Sequence, residues 1–118
     1  MKNRKYLTPS EVEKLLEATL RGKHAERDYC LIWMCFIHGC RVSEISSWRL
    51  SDIDIEGNNI YIHRLKNGFS TVHPLYRRER KSLKPWMNKR KEYRGEDTDW
   101  LFLSNRGAKL FRLRIICD

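Results

Sequence analysis

Two cations stand out by position. Arg41 follows the long apolar run that ends at Gly39, and Ser43 and Glu44 open the next element. Lys66 precedes Asn67-Gly68, a strong short-range hairpin signal. An arginine held at a rigid seam can grip two phosphate oxygens bidentately. A lysine at a hairpin tip can reach into a groove and donate a proton to a leaving alkoxide. Together they suit phosphoryl-transfer chemistry, in which charge stabilisation and proton delivery dominate. Plainer readings of the same residues exist. Arg41 can be an ion-pair partner of Glu44 or Asp28, and Lys66 an ordinary turn lysine.

Such residues need elements to hold them. In "YLTPSEVEKLLEATLRG", Thr8 is the expected N-cap, Pro9 the first helical residue and Glu11 the acid of a capping box. Val12, Leu15, Leu16 and Leu20 form an apolar stripe at helical spacing, and Gly22 is the expected stop. "AERDYCLIWMCFIHG" predicts a second helix, apolar all round from Tyr29 to Ile37 and therefore buried. Gly39 can adopt the left-handed conformation that ends it. A short third helix is expected from a Ser43 cap to about Trp48, with Glu44 in its first turn.

The period then changes. Ile53 and Ile55 alternate, "EGNN" turns, Ile60 and Ile62 alternate, and "KNG" turns into "STVHPL". This predicts a three-stranded antiparallel sheet. Residues 76–94 carry nine basic and two acidic side chains, with Leu83, Trp86, Met87 and Tyr93 as an inward stripe. Pro85 is expected to break or kink any helix there. "GEDTD" reads as a loop, "WLFLS" as a short buried strand, "NRG" as a turn, and "AKLFRLRIICD" as the opening of another element.

Composition bounds the partners. The 118 residues suit one domain, and 24 Lys+Arg against 15 Asp+Glu give a net charge of +9. That charge favours nucleic acid as the partner over an acidic membrane surface, and a solvated basic surface is the bland alternative. No apolar run approaches the ~20 residues that cross a bilayer, and no secretory h-region follows the basic start. Cys30, Cys35 and Cys40 are spaced by five, which rotates each by about 140° from the last on a helix. They do not converge on a metal. Cys30 and Cys35 read as small buried hydrophobes in a reducing compartment.

The order of these motifs resembles the catalytic domain of tyrosine recombinases, of the phage integrase family, and within it the Fim-type regulatory recombinases that control fimbrial phase variation. "YLTPSEV", "ERDYCLI", "HGCRVSEI", "RLKNGFSTVHPL" and "LFLSNRG" carry the resemblance, from about residue 4 to residue 110. It implies an α+β fold, mainly helical with a small three-stranded antiparallel sheet, forming the N-terminal half of such a domain over residues 1–118. It implies that Arg41 is the first catalytic arginine, that Glu44 braces the site, and that Lys66 is the general acid. Expected DNA contacts are Arg41, Arg64, Lys66, Asn67, Ser70 and Arg77. No metal and no cofactor are implied. The expected partner is double-stranded DNA, with self-association or a full-length recombinase left open. The expected location is the bacterial cytoplasm, at the nucleoid.

The family also requires an H-x-x-R motif, a further His or Trp, and a nucleophilic Tyr. No H-x-x-R motif follows Lys66, the histidine that does, His73, matches the hairpin strand, and Tyr76 and Tyr93 come too early to be the nucleophile. The expectation is a C-terminally truncated chain that binds DNA without catalytic competence. The alternatives are a non-catalytic regulator of a recombinase and an inert product.

Overall fold

A computed structural model describes residues 8–63 and 70–110. The first helix, α1 (Pro9–Thr19), starts as its sequence dictates. The Glu11 backbone N–H donates to Thr8 Oγ1 at 3.2 Å, and the Thr8 N–H donates to Glu11 Oε1 at 2.9 Å. Two of the first-turn donors that a helix leaves unmet are thereby satisfied. Val12 is buried and Leu15 and Leu16 pack against the core, but Leu20 lies 66% exposed. The stripe closes instead at Thr19, whose hydroxyl donates to the Leu16 carbonyl at 2.7 Å. The helix has already ended by Leu20, so Gly22 is not its stop.

Helix α2 (Ala25–His38) packs against α1 and against α4 (Arg77–Arg90). Gly39 ends it at φ 62°, ψ 36°, in the left-handed region. The Cys40 N–H closes the turn onto the Cys35 carbonyl at 3.1 Å. Cys30, Leu31, Ile32 and Met34 are fully buried. The helix is not buried all round, however. Phe36 is 39% exposed, and Trp33 is only half-buried, its outer face covered by the Arg78 guanidinium at 5.0 Å from the ring centroid. The helices packed on it cover only part of its circumference, and Phe36 lies on the part left at the surface.

Helix α3 (Val42–Ile45) begins earlier than expected, with Arg41 rather than Ser43 in the capping position. The Glu44 carboxylate accepts the Arg41 backbone N–H at 3.0 Å, so the first turn closes behind Arg41. The helix ends at Ile45, short of Trp48, which is buried in the following loop.

A 3₁₀ turn (Leu50–Asp52) leads into a sheet of order β1–β2–β3, all antiparallel, as the alternation predicted. Strands β1 (Ile53–Asp54), β2 (Asn59–His63) and β3 (Ser70–Pro74) pair with Ile53 opposite Ile60 and Ile60 opposite His73. Ile60 and Ile62 face the core, while Tyr61 between them is exposed. Strand β1 stops before Ile55, which is 55% exposed, because the chain is already turning. The Asp54 carboxylate accepts the Gly57 N–H at 2.8 Å, and Asn58 takes φ 59°.

Helix α4 runs through Pro85 without interruption. Pro85 and Lys81, four residues back, both lie on the exposed side, so water can satisfy the carbonyl that proline leaves without a donor. Leu83 and Trp86 point inward as expected, with Met87 and Tyr93 partly buried beside them. Trp86 stacks on Phe102, with centroids 6.0 Å apart, and its indole donates to the Leu101 carbonyl at 2.9 Å.

The expected "WLFLS" strand does not form. Leu101, Phe102 and Leu103 are buried, but only single bridges flank them, Arg49 with Trp100 and Leu103 with Lys109. Side chains occupy the carbonyls a partner strand would use. Arg90 takes that of Trp100, the Trp86 indole that of Leu101, and Arg27 that of Leu103. The "NRG" turn is present. Gly95 and Gly107 pack so closely that a Cβ on Gly95 would meet the Gly107 carbonyl oxygen at 2.1 Å. The residues of the tail beyond 110 lie outside the described residues.

Candidate phosphate-contact site at the α2–α3 seam

Arg41 lies between two fixed points. Behind it, α2 ends in the Gly39 turn. Ahead of it, Glu44 holds its backbone N–H. Its side chain is exposed. The two ion-pair partners weighed for it are engaged otherwise. Asp28 accepts from the Arg27 Nε at 2.8 Å, within a pair whose side chains are 7% and 9% exposed. Burial raises the Asp28 pKa, and the Arg27 charge opposes that rise. Glu44 meets Arg41 through the backbone. Among the described residues, no ion pair holds the Arg41 guanidinium. A cation on a rigid backbone with an open head group can take a phosphate oxygen pair without reorganising the fold.

Arg41 and Glu44 are therefore brought together. Arg64, Lys66 and Asn67 lie outside the described residues. Ser70 begins β3, opposite His63. Arg77 begins α4 and is exposed, and with Arg80, Lys81 and Lys84 it rims a groove floored by Leu83, Met87 and Ile55. No seam residue lines that groove, so Arg77 belongs to a separate basic surface.

Neither tyrosine of the basic segment is set up to attack a phosphate. Tyr76 is 54% exposed and caps α4. The Tyr93 hydroxyl is hydrogen-bonded to His24 Nδ1, and its ring meets Trp86 edge-on at 5.1 Å. Burial raises the Tyr93 pKa and lowers that of His24, so both favour their neutral forms. The cysteines are equally quiet. Burial pushes the Cys30 thiol up to about 12 and raises Cys35 further.

Three polar groups were missed by sequence reasoning. His38 and Glu79, with side chains 1% and 0% exposed, are hydrogen-bonded through His38 Nε2 and Glu79 Oε1. His38 Nδ1 lies 3.0 Å from His73 Nδ1, and His73 Nε2 lies 3.1 Å from Thr71 Oγ1. Glu79 Oε2 accepts the Tyr76 N–H at 2.9 Å. A faint signal existed in Glu79, one of only two acids in the basic segment, and in the histidine closing an apolar run. Their meeting depends on the packing of α2, β3 and α4, which no local pattern carries.

Residues 5–115 match the phage integrase family. The chain is 52% identical over 111 residues to the type 1 fimbriae regulatory protein FimB of Escherichia coli K12, covering 94% of this chain and 56% of FimB. It is 44% identical over 122 residues to FimE of the same strain, covering 100% of this chain and 62% of FimE. The chain thus spans little more than half the length of these relatives. Its fold superposes on the crystal structure of XerA recombinase with a TM-score of 0.71 at 26% identity, covering 89% of this chain and 37% of XerA.

Proposed function

Because the chain belongs to the phage integrase family, we propose that it forms the first half of a tyrosine-recombinase catalytic domain of the Fim type and grips the DNA backbone. The parent activity would be site-specific inversion of a DNA segment that controls fimbrial genes, carried out in the bacterial cytoplasm at the nucleoid. The observation that carries this reading is Arg41, an exposed guanidinium on a seam fixed by Gly39 on one side and Glu44 on the other.

Mechanistically, Arg41 would hold the two non-bridging oxygens of the scissile phosphate and offset the charge that grows on them as the phosphorus is attacked. Glu44 fixes the backbone from which Arg41 projects. Lys66 would protonate the leaving 5′ oxygen. Arg64, Asn67, Ser70 and Arg77 would add backbone contacts that give affinity without sequence information. The attacking group of this chemistry is a tyrosine, and neither Tyr76 nor Tyr93 is placed for that role. The 118 residues alone therefore bind DNA without forming a covalent link, because the nucleophile is not an accessory in this chemistry.

A nicked suicide duplex tests this. The expected result is a salt-sensitive, non-covalent complex with no phosphotyrosyl adduct. An adduct that survives denaturation would overturn the non-catalytic reading, and no binding even at low salt would overturn the DNA-binding one.

A further inference from the structure

The polar chain that joins α2, β3 and α4, buried at His38 and Glu79 and half-buried at His73, does nothing in the chemistry above, yet His38 lies three residues from Arg41. Its hydrogen bonds impose strict proton bookkeeping. A carboxylate only accepts, so a carboxylate form of Glu79 would call for an N–H at His38 Nε2. His38 Nδ1 and His73 Nδ1 are 3.0 Å apart. Two bare nitrogens there would repel, and so would two N–H donors. One proton, and only one, lies between them. Thr71 Oγ1 can either donate or accept, so it completes the chain at 3.1 Å in either case.

Trp48 meets the His38 ring edge-on, with centroids 5.8 Å apart, and so bounds the imidazole on that side. The last turn of α2 is thus tied to β3 through His73 and to the first turn of α4 through Glu79. Arg41 leaves that turn after only Gly39 and Cys40.

We propose that His38, His73 and Glu79 are positioning residues for Arg41, and that their relay of hydrogen bonds sets where its guanidinium projects. The inference rests on the reading of Arg41 as a phosphate contact. Free imidazoles mostly carry the proton on Nε2, and two such histidines would leave both Nδ1 atoms bare. The relay forbids that arrangement.

The experiment has two arms. Imidazole ¹⁵N NMR on the unmodified chain, without DNA, should show Nδ1 protonated on His73 or shared with His38. Bare Nδ1 on both rings would overturn the relay. The second arm titrates a duplex. His73→Leu should weaken binding about tenfold, the scale of one buried acceptor left unpaired. His73→Asn keeps an N–H at the δ position and should stay within about twofold of the parent chain. In an Arg41→Ala background, His73→Leu should cost nothing further. An equal loss in both backgrounds would overturn positioning through Arg41. If the unmodified chain shows no DNA binding while the NMR signature is present, the DNA-binding reading falls, and the positioning role falls with it.

Discussion

Arg90 and Arg41 are the same side chain in opposite circumstances. Arg90 is 5% exposed and donates to three backbone carbonyls, those of Glu96 at 2.9 Å, Thr98 at 2.8 Å and Trp100 at 2.6 Å. Its planar fork stands in for a strand partner and organises the loop that follows α4. Arg27 does similar work, bridging Asp28 and the Leu103 carbonyl. Arg41 has the fixed backbone, and no ion pair among the described residues holds its guanidinium. A basic chain holds many arginines, and charge alone does not sort them. What sorts them is whether the guanidinium is already saturated by the fold.

The comparison can be broken most severely at Arg90. Arg90→Ala should destabilise the chain by roughly 3 kcal/mol or more, since it strands several carbonyls in a partly dry setting. Arg90→Lys should recover little, because an ammonium cannot span the same three acceptors. Chemical denaturation reads both, and the surviving folded fraction should bind DNA with unchanged affinity. Next in size is Arg41→Ala, the mirror image. DNA affinity should fall about tenfold, or ~1.4 kcal/mol, while thermal stability shifts by less than about 0.5 kcal/mol. Arg77→Ala should weaken binding only about threefold, as one exposed contact among several on a separate basic rim. A larger loss there than at Arg41 would reverse the ranking of the two surfaces.

The smallest effect concerns the thiols. Because the folded Cys30 pKa is raised to about 12, its contribution to stability is complete below the ordinary thiol range and is lost as pH climbs toward 12. Cys30, Cys35 and Cys40 are all buried, so a thiol reagent near neutral pH should modify them only on unfolding. Rapid modification of Cys30 or Cys35 in the folded chain, as distinct from Cys117, would contradict the packing of α2.

These contrasts also mark what the sequence made legible. Local rules carried the Thr8 cap, the Gly39 stop and the alternation of Ile60 and Ile62, because each depends on neighbours a few residues away. The same rules misplaced the α3 cap, since Glu44 reaches back to Arg41 rather than leaving Ser43 to start the helix. They also drew a strand where Leu101 and Phe102 are buried by long-range packing, with carbonyls claimed by Trp86 and Arg90. Arg41 and Glu44 were legible as a pair because they lie three residues apart. The His38–Glu79–His73 chain was not, because its members come from three separate elements.

The central claim is that Arg41 contacts a phosphate from a seam whose backbone is fixed by Gly39 and Glu44. The most direct test is the salt dependence of duplex binding by the unmodified chain and by Arg41→Ala. If about four phosphates are neutralised, log K should fall against log salt with a slope of roughly −3.6, and removing Arg41 should reduce it to roughly −2.7. An Arg41→Ala chain with the same slope and affinity as its parent would contradict the account.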